Sequence, residues 1–111
     1  MKDFKIDILG EPYKICFRDA TDPRLENSDG YCDWTTKEIV VRQDWADDVH
    51  NLKDLNVYKI KVLKHEIIHA HLFESGLAEN SWACEEIVDW IAIQFDKIVN
   101  VFDRIEAMID N

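Results

Sequence analysis

Residues 52–73 contain neither Gly nor Pro and carry His65-Glu66-Ile67-Ile68-His69 near their centre. Ile60, Leu63, Ile67 and Ala70 follow the 3-4-3 spacing of one buried stripe on a helix. Helix is also the conformation that gives the central motif its meaning. Positions i and i+4 lie one above the other, so both imidazoles face one point in space and can reach one metal ion. Glu66 then projects beside that ion, where a carboxylate can take a proton from an activated water. Asn51 is the expected N-cap, Asp54 falls in the first turn, and Ser75-Gly76 supplies the stop. Val62, His65, His69 and Leu72 form a second row, so the two His share a partly apolar surface.

A catalytic zinc site needs three protein ligands and one open position. The third is expected from a second helix, which begins near Ser81 as N-cap and runs without Gly or Pro to about Ile109. Cys84, Val88, Ile91, Phe95, Ile98 and Phe102, spaced 4-3-4-3-4, read as its core stripe. Glu85 and Glu86 both sit early on this helix. Glu85 lies about 100° from the stripe and Glu86 about 200° away, so helical phase favours Glu85 as the ligand. Asp89, one turn on, can accept a hydrogen bond from the non-ligating nitrogen of a His. Two acidic residues in a first helical turn would also complement the helix dipole without any metal.

Taken together, His65-Glu66-Ile67-Ile68-His69 and Glu85-Glu86-Ile87-Val88-Asp89 resemble the gluzincin pair of motifs, H-E-x-x-H and a downstream E-x-x-x-D. The run from Glu85 to Ala92 is also similar to the second motif of small ImmA/IrrE-type metallopeptidases and related phage-encoded proteins. The segment from Gly30 to Arg42 looks like the hairpin that precedes the zinc helix in such domains. The resemblance covers roughly residues 30–95. It implies His65, His69 and Glu85 as Zn2+ ligands, Glu66 as general base and Asp89 as partner of a ligand His. Cys84 stands where larger gluzincins carry Asn, and no LLMP-like segment follows Ala92. The expectation is one zincin-like metallopeptidase domain over residues 1–111.

Composition sets the outer limits. At 111 residues and 47% hydrophobic content the chain can build one core, with little room for elaborate pockets. A net charge of −10 argues against nucleic acid or anionic membrane as partner, since both need clustered Lys and Arg. A protein or peptide substrate is the partner expected instead. Lys59, Lys61 and Lys64 form the one basic cluster and read as the solvated side of the first helix. With no long apolar run and no signal peptide at Met1, the expected location is cytoplasmic. Cys16, Cys32 and Cys84 are odd in number and widely spaced, which argues against a disulfide framework. Cys84 reads as core, and an approach of Cys32 to the metal is the minor alternative.

The N-terminal half reads as strands. Phe4–Leu9 and Tyr13–Arg18 alternate about Gly10-Glu11-Pro12, and Tyr31–Trp34 and Ile39–Arg42 flank Thr35–Glu38 as a second hairpin. Residues 19–30 form a polar loop, and residues 44–50 a polar connection with Trp45 as anchor. The predicted architecture is α+β, a small antiparallel sheet of hairpins packed on two main helices. Lys37–Gln43 is the candidate edge strand for holding an extended peptide beside the zinc helix. His71, two residues past a ligand, takes a surface or packing role. Tyr13, Tyr31 and Tyr58 can each donate to an oxyanion, and the sequence does not choose among them.

These residues point to a zinc-dependent metallopeptidase that cleaves a specific intracellular protein, with Glu66 handling the protons. The alternative is a catalytically silent, metal-containing binding or regulatory protein on the same scaffold. A chance motif in an α+β interaction domain is the third reading.

Overall fold

Alternation in the first half resolves into four strands in a computed structural model that describes residues 2–44 and 54–109. β1 (Phe4–Ile8) and β2 (Glu11–Arg18) form the first hairpin, and β3 (Gly30–Asp33) and β4 (Glu38–Arg42) the second. Leu9 and Gly10 turn the first with φ of 51° and 91°, the left-handed pair that matches strand twist in a two-residue hairpin loop. In the second, the Asp33 carboxylate accepts the Thr35 amide at 3.0 Å, closing a four-residue loop. The class is α+β, as expected.

The pairing between hairpins departs from a purely antiparallel sheet. The strand order is β1-β2-β4-β3, and β2 and β4 run parallel, with Ile15 opposite Ile39 and Phe17 opposite Val41. Residues 19–29 carry the chain across, so β3 descends on the far side and β4 returns between β3 and β2. Leu25, in a 3-10 turn (Pro23–Leu25) capped by Asp22, covers Cys16 and Val40 on the outer face. This topology overturns the expected edge: the segment 37–43 is interior, and among the described residues the edges are β1 and β3.

Tyr13, Ile15, Phe17, Ile39 and Val41 point to the other face, where α1 (Leu55–Glu74) covers them. Asp54 caps α1 by accepting the Val57 amide at 3.1 Å. The expected cap Asn51 and the anchor Trp45 lie outside the described residues. The helix stops where expected, with Gly76 at φ 78° and the Leu77 amide bonded to the Leu72 carbonyl at 2.9 Å. The buried row is Val62, Glu66 and Ala70, whereas Ile60 faces out at 53% exposure. The face against the sheet is therefore rotated from the stripe read in the sequence, and it carries the motif's carboxylate into the interior. At the far end Glu74 accepts from both Tyr13 Oη and Lys37 Nζ at 2.5 Å, tying α1 to the sheet.

α2 (Glu85–Ile109) begins three residues later than expected. Asn80 and Ala83 close consecutive turns instead, and the first helical bond runs from the Val88 amide to the Cys84 carbonyl. Cys84 is thus an exposed cap position, not core. Of the remaining stripe, Val88 is fully buried with Ala92 beside it, but Phe95 and Phe102 are 53% and 57% exposed. α2 crosses α1 and continues past it, and among the described residues nothing further covers it. At 1.5 Å per residue it is about 37 Å long, and the molecule measures 54 × 34 × 30 Å. Lys61 and Lys64 are not simply solvated: Lys64 Nζ lies 2.9 Å from Asp96 and Lys61 Nζ 3.9 Å from Asp89, across the helix crossing. Among the described residues no helix is long and apolar enough to cross a membrane.

Candidate metal centre

The helix crossing brings His65, His69 and Glu85 together, with one ligand atom from each within 4.8 Å of the others. His65 Nε2 lies 2.8 Å from Glu85 Oε2, His69 Nε2 lies 2.9 Å from Glu85 Oε1, and the two imidazole nitrogens are 3.1 Å apart. On the other side of the ring, His65 Nδ1 is 3.1 Å from Asp89 Oδ1. An ionised carboxylate can only accept, and the ring of His65 faces one at each nitrogen, Asp89 at Nδ1 and Glu85 at Nε2; with a metal ion at Nε2 the proton belongs on Nδ1, towards Asp89. Lone pairs from His65, His69 and the Glu85 carboxylate then converge on one point. Such a convergence is stable only with a cation, a proton or a metal, between them.

The donor set suits zinc. Two imidazoles and one carboxylate at about 2.0–2.1 Å from a tetrahedral ion would stand roughly 3.4 Å apart. The separations here are a few tenths of an ångström shorter; the two to Glu85 can lengthen as its exposed side chain moves outward, and the one between the imidazoles needs a small rotation of the rings. His65 and His69 are largely buried while Glu85 is open to solvent, so one side of the triangle remains accessible. Burial also lowers the His69 pKa, keeping its ring neutral and able to ligate, against the opposing pull of Glu85.

Glu66 sits next to this triangle but belongs to the interior. It is 8% exposed, and its carboxylate accepts no hydrogen bond among the described residues. Burial, opposed by His65 and reinforced by the charge of Glu85, lifts the carboxyl to about 7. A buried, unpartnered carboxylate is costly to keep and is held ready to exchange a proton near neutral pH.

Gly30 makes that position possible. A Cβ there would lie 2.6 Å from Val62 Cγ1, 3.0 Å from Glu66 Cγ and 3.1 Å from Glu66 Oε2, so β3 and α1 approach more closely than any side chain allows. Gly30→Ala is therefore expected to push α1 off β3 at a cost of about 1–3 kcal/mol, and to lower any turnover with it. A urea titration with unchanged midpoint would show that the approach is not this tight. A Gly in a strand is a signal for close backbone approach, one that the reading of Gly30 as the end of a polar loop and the start of a hairpin does not use.

The other candidates fall away from the centre. Cys32 packs against the core and stands outside the cluster, and burial and the neighbouring Glu66 push its thiol up to about 12. Tyr13 is committed to Glu74 and Tyr58 to Asp29, each at 2.5 Å. Tyr31 pairs with Val40, whose side chain joins the outer face, so it points away from α1. His71 Nδ1 donates to the Ile67 carbonyl at 2.8 Å, a packing role. Glu86 stands outside the cluster. The Tyr58–Asp29 contact spans 29 residues and had no local signal. It borders a cavity of about 230 Å³ between Tyr58, Lys61, Val62, His65 and Asp89. The chain matches no protein-family model, no curated protein and no solved structure.

Proposed function

We propose that this chain is a zinc-dependent metallopeptidase of gluzincin type. The observation that carries the proposal is the convergence of His65, His69 and Glu85 beside a buried carboxylate with no partner of its own. A bound zinc ion would supply Lewis acidity there, bringing the pKa of water towards neutrality and polarising a carbonyl. His65, His69 and Glu85 would hold the ion, and Asp89, 3.1 Å from Nδ1, would fix the tautomer and orientation of His65. Glu66, buried beside the cluster with no hydrogen-bond partner among the described residues, would accept the proton of the attacking water and return it to the leaving amine nitrogen.

The substrate is a peptide held in extended form. β3 lies at the sheet edge among the described residues, and its first residue leaves no room for a Cβ against Glu66, so main-chain pairing along Gly30–Asp33 would lay a peptide near the base. The 230 Å³ cavity next to His65 has room for one side chain of that peptide.

Elemental analysis of the purified protein should find about one zinc per chain, as expected for a three-ligand site. Cleavage of a diverse peptide mixture, read by mass spectrometry, should disappear on chelation and return with zinc. A protein that carries no transition metal and takes none up at micromolar zinc would end this reading.

A further inference from the structure

The stripe on α2 outlasts the body that covers its beginning. Beyond Asp96, which meets Lys64, every residue to Ile109 is exposed or only partly covered. Yet the apolar pattern does not stop there: Ile91, Phe95, Ile98, Phe102, Ile105 and Ile109 continue the 4-3 alternation of a heptad seam. Val99, Val101 and Met108 flank the seam and widen it, at 37%, 51% and 77% exposure. Among the positions bordering the seam in this stretch, only Glu106 is charged, in a chain of net charge −10. An exposed apolar face of this extent on a charged molecule marks an interaction surface.

We infer that the projecting half of α2 is a dimerisation helix, and that its partner is a second copy of this chain packed antiparallel. The seam spacing 4-3-4-3-4 reads the same in both directions, so a reversed copy meets it at every step. The register that aligns the two seams end to end sets Ile91 against Ile109, Phe95 against Ile105 and Ile98 against Phe102 of the second copy. A two-fold axis requires such self-complementarity of one patch. The exposed seam and its flanks offer on the order of 700 Å² of apolar surface, close to the roughly 800 Å² that each partner brings to a standard interface. The surface continues at the root of the helix into an apolar groove of about 460 Å³ lined by Ile67, Ile68, Leu72, Ile91 and Phe95. In the antiparallel register this groove receives the far end of the second copy's α2, the segment around Met108 and Ile109. The low charge of the seam also makes it the region of this acidic chain where two copies repel least.

Sedimentation velocity of the full chain should give a species of about 26 kDa, twice the 13.1 kDa chain, at concentrations of about 10–100 µM. Phe102→Glu places a charge at the centre of the seam and should return the protein to a monomer, with its far-UV circular dichroism and zinc content unchanged. Asn100→Glu, on the opposite face of the same turn, should leave the dimer intact. A wild type that stays monomeric at about 100 µM would overturn the inference and leave the stripe to a different chain. A Phe102→Glu protein that remains dimeric would overturn it equally, because another surface would then hold the two copies.

Discussion

Glu66→Gln is expected to abolish hydrolysis, with a fall in rate of about 10²–10⁴-fold, while zinc content and fold stay as in the wild type. The substitution keeps size and shape and removes basicity. Since the Glu66 carboxylate accepts no hydrogen bond among the described residues, little else is lost with its charge. It lies outside the His65, His69 and Glu85 cluster, so the metal has no reason to leave. A small domain can be selective for one protein, and silence on generic substrates such as casein would decide nothing. The informative comparison sets wild type against Glu66→Gln in the first assay that shows an effect, with zinc content measured in parallel. Equal potency of two zinc-loaded proteins would mean that the scaffold works by binding, and the silent regulatory reading would replace the peptidase.

Removing a donor should act on the metal itself. His65→Ala deletes a nitrogen from the cluster together with its link to Asp89, and the variant should retain no zinc through gel filtration. Asp89→Asn leaves every donor in place and weakens only the orientation of His65, so a loss of about 10–100-fold in affinity is expected. Glu85→Gln should exceed that loss, because both Glu85 oxygens face imidazole nitrogens, at 2.8 and 2.9 Å. Glu86→Gln should change affinity little. Competition against a chromophoric chelator measures all four on one scale. A larger loss in Glu86→Gln than in Glu85→Gln would move the third ligand one residue along and undo the proposed geometry.

Much of the local structure was legible. Hydrophobic period placed both helices, alternation placed both hairpins, and the φ-positive residues at Gly10 and Gly76 sit where Gly marked a turn and a stop. Helical phase separated Glu85 from Glu86, and the i, i+4 spacing put Asp89 over the ring of His65. These readings rest on the regular backbone, whose rise and rotation per residue are the same in every protein. Where neighbouring residues compete for one role, that regularity is enough to rank them.

It ceases to be enough wherever two segments distant in sequence must choose each other. The parallel insertion of β4 between β2 and β3 made β3 the edge beside α1, although hairpin signals name only the strands they join. The α2 stripe from Phe95 onward has core chemistry and, among the described residues, no core to meet, since exposure depends on how much body lies opposite and periodicity carries no record of that. Glu66 reads in sequence as the base of the motif, but nothing in the sequence says that it is buried. Its burial follows from Gly30, 36 positions away, letting a strand close over it. Sequence alone therefore determined which side chains can share a helical face. Only the packing of sheet on helix decided which face turns inward, and with it that the carboxylate of Glu66 is buried.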